Sequence, residues 1–104
     1  MITATTANVP GKEVSEILGI SRGSTVRARN IGRDIFAGLK NIVGGEISEY
    51  TRLQAQSREQ AFQRMVKDAE SVGADAVINV RFTTAMVMQG AAEMLAYGTA
   101  VKLK

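Results

Sequence analysis

The segment Glu93–Leu103 constrains the fold more than any other, because as a strand it has no side suited to water. Leu95, Tyr97, Val101 and Leu103 fall on one side and Met94, Ala96, Gly98 and Ala100 on the other, so both sides are apolar or small. Strands of that kind belong to sheets covered on both faces. The chain has 104 residues, enough for one domain with one core. A single layer of helices covers one side of a sheet. The pattern therefore predicts that a neighbouring copy covers the other.

The strand before it is Asp75–Met88. Ala76, Ile78, Val80 and Phe82 alternate with Asn79, Arg81 and Thr83, which predicts one apolar and one polar side. Gly90-Ala91 suits a type II′ hairpin turn, with glycine at the first central position. Near the N-terminus, Ile2–Thr6 is a short strand candidate that Val9-Pro10-Gly11 ends in a turn. Val14–Val26 reads as a further strand in which Ile17, Leu18 and Ile20 do not alternate. Gly19 marks a bulge or a close backbone approach there.

Two helices are expected in mid-chain. Asn30 is a suitable N-cap, and Ile31, Ile35, Phe36, Leu39, Ile42 and Val43 then share one helical face. Gly32 and Gly38 each weaken that helix by about 1 kcal/mol relative to alanine, and Gly44-Gly45 ends it. Glu46–Val72 reads as a second, longer helix, with Phe62, Met65, Val66, Ala69 and Val72 at helical spacing. Ser57 and Gln60 have the spacing of a capping box that would split it. The absence of Gly and Pro favours one continuous helix closed by Gly73. The order β-β-α-α-β-β predicts an α+β fold over residues 1–104, an antiparallel sheet packed on two mid-chain helices.

Composition removes several chemistries. The chain has no cysteine and no histidine. That excludes disulfides, thiolate metal sites, a thiol nucleophile and the usual neutral-pH base. No stretch approaches the roughly 20 apolar residues of a membrane span, and Met1–Gly11 has no basic or apolar leader. A cytoplasmic protein without a membrane partner is expected. The net charge of +3 is too weak by itself for a nucleic-acid binder. Arg22, Arg27, Arg29, Arg33 and Lys40 nevertheless face only one acid, Asp34, within the same stretch. Such a run is usually a solvated face. Repeated around a ring it would form a cationic annulus that attracts polyanions without reading bases.

Three segments carry a resemblance. They are Asn30-Ile31-Gly32-Arg33-Asp34-Ile35-Phe36-Ala37-Gly38-Leu39-Lys40-Asn41-Ile42-Val43-Gly44-Gly45-Glu46, then Gly73-Ala74-Asp75-Ala76-Val77-Ile78-Asn79-Val80, and finally Tyr97-Gly98-Thr99-Ala100-Val101. With the Thr-rich opening and Val9-Pro10-Gly11, they make the whole chain resemble the YbjQ-like family, often labelled heavy-metal-binding. The resemblance implies a β-α-β-β core like that of a dodecin subunit, with extra short strands, assembled as a homopentameric ring. It brings no established activity and no established ligand residues.

The residues support several chemistries unequally. Soft metals want thiolate, thioether or imidazole, and only thioethers remain here. If two residues form the hairpin turn, Met88 pairs with Glu93 and Met94 lies on the opposite face. If three do, Met88 faces Met94. Methionine more often fills cores. Glu46 and Glu49 are oxygen donors on one helical face, but acids in a first helical turn already complement the helix dipole.

A ligand pocket around residues 30–50 would use Asn30, Arg33, Asp34, Lys40, Gly44, Gly45, Glu46 and Tyr50. Arg33 and Lys40 share a helical face, and the free N–H groups after Gly44-Gly45 suit an anion. Glu46 opposes that anion, and the two glycines also serve as a tight helix–helix turn. Nucleic acid is the weaker option, because single-strand binders need several aromatic platforms and Phe36, Phe62 and Phe82 fall on expected core faces. An enzyme using carboxylates and Arg33 has the least support, and no cofactor is singled out. The expected function is a homo-oligomeric binding or scaffold module with a small-anion pocket at the subunit boundary. A metal-binding protein using carboxylate or methionine donors is the alternative.

Overall fold

A computed structural model describes residues 1–28, 48–88 and 91–104. Its elements run β1 (Ile2–Thr3), β2 (Val14–Ala28), α1 (Ser48–Ser71), β3 (Ala76–Met88) and β4 (Ala91–Leu103). The sheet order is β1-β3-β4-β2, which places the doubly apolar strand β4 between two partners. β2 and β3 both pair antiparallel to β4, whereas β1 runs parallel to β3. The sheet is therefore mixed, not antiparallel throughout. A parallel neighbour needs a long crossover, and the chain supplies one through β2 and α1.

One helix lies among the described residues, against the two expected. It is continuous through Ser57 and Gln60, with no break at the capping-box spacing. The first expected helix, with its stripe from Ile31 to Val43, lies outside the described residues. The order β2-α1-β3-β4 is a β-α-β-β run. Gly73 ends α1 at φ +78, with Gly73 N–H donating to Glu70 O and Ala74 N–H to Ala69 O. That pair of bonds is a Schellman motif, which glycine at C′ permits.

α1 rests on the backbone of β2. A Cβ added at Gly23 would collide with the main chain of Ala61, Arg64 and Met65. Small residues follow from that approach: Ala61 and Ala69, one turn either side of Met65, are fully buried. The contact is pinned by Ser21 Oγ donating to Met65 O (2.7 Å) and Thr25 Oγ1 donating to Ser57 O (3.1 Å). Val77, Val80, Met94, Ala96 and Ala100 complete the core on this side, with Leu18, Phe62 and Val66 packed around it. On the opposite side Ala76, Ile78 and Val101 form a smaller cluster under Val9 and Leu103. The two sides of β4 are thus the two predicted from alternation, and the Val9 turn covers the lower end of one of them.

Of the four register shifts among the described strands, at Val14/Glu16, Ile17/Gly19, Ile78/Arg81 and Met86/Met88, the middle two set which way side chains point at the centre of the sheet. The β2 register shifts between Ile17 and Gly19, where Gly19 has φ +121. The expected bulge is there. The β3 register shifts between Ile78 and Arg81, where Asn79 has φ +53. One extra residue exchanges the two faces of a strand. The even alternation expected for β3 is therefore wrong: Val77, Val80 and Phe82 face α1, whereas Ala76 and Ile78 face away with Arg81.

The outer border of β2 is partly closed by α1. Asp68 Oδ2 accepts from Arg22 N–H at 3.1 Å, and Arg64 Nη1 donates to Ser24 O at 2.6 Å. Below that point Ile17 and Ile20 are 70% and 73% exposed.

Candidate functional site

The pocket expected around residues 30–50 cannot be placed by geometry. Asn30, Arg33, Asp34, Lys40, Gly44, Gly45 and Glu46 lie outside the described residues, and Tyr50 is described only as part of the α1 backbone. The Glu46–Glu49 pair falls with them. Gln89 and Gly90 are likewise outside.

The methionines are placed. β4 begins at Ala91, which pairs with Met88. Ala91 is a strand residue and not part of the turn, so Met88 faces neither Glu93 nor Met94. Met94 stands opposite Thr84, whose Oγ1 donates to Met94 Sδ at 3.2 Å, and it packs in the α1-side core. Met86 and Met88 are 81% and 63% exposed. Among the described residues no three of His, Cys, Asp and Glu come together as a metal site.

Two other surfaces have the shape or chemistry of a site. The first is an open groove of about 450 Å³ lined by Thr3, Ala4, Thr5, Thr6, Phe62, Val80 and Phe82. Its wall is an aromatic pair, Phe62 of α1 and Phe82 of β3, with ring centroids 6.4 Å apart and planes inclined by 28°. Such offset pairs are favourable beyond their burial. The groove exists because α1 lies over β2 and β4 and leaves the β3 side of the same face uncovered. Phe82, expected in the core, is consequently exposed.

The second surface is the face turned away from α1. There Tyr97 of β4 stands opposite Arg22 of β2 on one side and Arg81 of β3 on the other. Arg81 Nη1 donates to Thr5 O and to Val80 O, each at 2.8 Å. Tyr97 is 38% exposed. Sequence reasoning did not assemble this row. Its only advance signal was Gly19, because the matching irregularity at Asn79 lies in a segment that alternates regularly.

No helix among the described residues is long and apolar enough to cross a membrane. A family model described as "Putative heavy-metal-binding" matches residues 1–104. A UPF0145 protein of Archaeoglobus fulgidus is 61% identical over 104 residues, covering 100% of this chain and 96% of its own. Another, from Methanosarcina acetivorans, is 58% identical over 103 residues, covering 99% and 97%. One from Psychromonas ingrahamii is 55% identical, covering 100% and 99%. Among solved structures, a protein of unknown function from the DUF74 family of Pediococcus pentosaceus shares the fold at a TM-score of 0.65. It is 16% identical, and the match covers 100% of this chain and 98% of that one. The match over every residue, with relatives above half identity along their full length, places the chain in the YbjQ family of UPF0145 proteins.

Proposed function

We propose that the protein works as a homo-oligomeric binding or scaffold module, a pentameric ring with a small-anion pocket at the subunit boundary around residues 30–50. The observation that carries self-association is the distal half of the β3–β4 hairpin. β3 is exposed at every residue from Arg81 to Met88, and that run includes Phe82, Met86, Val87 and Met88. Val26 of β2 adds to it. Apolar surface of this extent on one small domain marks an interaction site. The radius of gyration, 17.0 Å, also exceeds the roughly 13 Å of a compact chain of this length. Copies of the same chain fit this surface, because oligomers of soluble proteins are mostly closed assemblies of identical subunits.

Native mass spectrometry of the full chain tests the reading. A discrete assembly is expected, with Val87→Asp shifting the population toward single chains. A soluble single-chain species at micromolar concentration would overturn it. The family description favours a second reading, metal binding, through carboxylates or through the exposed thioethers of Met86 and Met88. The same spectra decide it: metal retained after dialysis, and lost in a Met86→Leu, Met88→Leu double variant, supports thioether ligation.

A further inference from the structure

The exposed apolar surface of β3 has two parts of opposite shape. One is a projection. β3 and β4 stay paired as far as Met88 and Ala91, and Met86, Val87 and Met88 stand exposed at that end of the ladder. The molecule measures 54 × 26 × 16 Å along its principal axes. A strand of 13 residues such as β3 spans about 43 Å, so the long axis is largely the length of the hairpin. The other part is a hollow, the open groove of about 450 Å³ beside β1, walled by Phe62 of α1 and Phe82 of β3.

The two parts match in chemistry. No residue from Thr83 to Met88 is ionisable, and neither is any residue lining the groove. Bringing them together therefore takes no charge out of water. Methionine is unbranched and adapts to irregular surfaces, and its sulfur packs favourably at the edge of an aromatic ring. A small-molecule site would enclose most of its ligand and add a few placed polar groups. This groove is open, and the Thr6 hydroxyl on its wall is already donated to Asn8 O.

One chain cannot make this contact with itself. Phe82 and Met86 stand on the same strand, about 13 Å apart, and Met88 is about 20 Å from Phe82. We infer that the hairpin end of one copy, Met86 with Val87 and Met88, seats in the Phe62–Phe82 groove of a second copy of this chain.

This contact rests on the reading of the protein as a ring of identical subunits and supplies the joint between them. Hairpin end and groove are different patches, so the joint is heterologous. Each copy gives its hairpin end to one neighbour and its groove to another. Contacts of that kind generate rings when the rotation between copies closes. One joint also accounts for the whole exposed run of β3. It covers Phe82 of one copy and Met86, Val87 and Met88 of the next, and a closed ring leaves no copy with an unmatched patch.

Mixing two blocked variants of the full chain tests the joint, with native mass spectrometry as the readout. Val87→Asp spoils the hairpin end. Thr5→Asp, at an exposed position on the groove wall, spoils the groove. Each alone should fall to single chains at concentrations at least about tenfold above the wild-type dissociation midpoint. An equimolar mixture, with one variant isotope-labelled, should give a mixed pair and nothing larger. Only the Thr5→Asp chain keeps a usable hairpin end, and only the Val87→Asp chain keeps a usable groove. Phe82→Asp in place of Thr5→Asp should give the same pair, which shows that the groove and not one substitution is responsible. Three results would overturn the joint: no mixed pair, an assembly whose size neither variant changes, or a small molecule held by the wild type and lost in Thr5→Asp while the assembly stays intact. Each of these leaves self-association itself standing. A wild-type protein that is single-chain at micromolar concentration overturns both.

Discussion

The two ends of the β3–β4 hairpin share one hydrogen-bonded ladder and differ almost completely in burial. At the base Ala76, Val77 and Ile78 are all buried, although successive residues face opposite sides. Toward the tip the ladder continues to Met88–Ala91, yet β3 is exposed on both faces. Strand pairing therefore does not by itself exclude water. What differs is the second layer: α1 and the Val9 turn sandwich the base, while α1 leaves the outer part of β3 uncovered. Regular structure and protection from water are separate achievements in this fold.

That contrast can be broken by experiment. The largest effect is expected for Met65→Ala, which empties a fully buried site between α1 and the sheet. It should lower unfolding stability by about 2–5 kcal/mol, read from urea melts. Ser21→Ala removes a hydroxyl bond to Met65 O that ties the two layers and should cost about 1 kcal/mol. Met86→Ala, at the tip, should change stability by less than about 0.5 kcal/mol in dispersed subunits. If it matches Met65→Ala at concentrations where the protein assembles, the tip is packed against another copy, and the contrast belongs to the isolated chain alone. The smallest effect is expected for Lys104→Ala. It breaks the ion pair to Glu13 at 3.4 Å, but both side chains are largely exposed. Such pairs contribute about 0–1 kcal/mol, less in salt.

How much could be read beforehand depended on whether a local signal existed. The two sides of β4 followed from alternation, because no bulge interrupts that strand's own pattern. Gly19 and Gly73 announced a bulge and a helix end through the backbone freedom that glycine alone supplies at φ +121 and +78. Asn79 gave no such warning. Its segment alternates regularly, so one extra residue exchanged the faces of β3 unannounced. The parallel placement of β1 depends on a contact spanning most of the chain, which periodicity does not encode. Met88 was misplaced because Ala91, expected in the turn, is the first residue of β4 and pairs with it, and a register shift between Met86 and Met88 then moves every pairing below. The Arg22–Tyr97–Arg81 row needed both bulges at once, so no reading of one strand could find it. The 30–50 pocket rests on residues outside those described, apart from the α1 backbone at its end, and stays a proposal.

The hooks that α1 places on the β2 border, Asp68 on Arg22 N–H and Arg64 on Ser24 O, bear on how such a chain accumulates. An uninterrupted strand edge is a template on which further strands zip without limit, the route to fibres. Here the template is occupied midway, and the stretch below it is kinked at Gly19. On this border a strand added from outside would therefore find partners for only a few rungs.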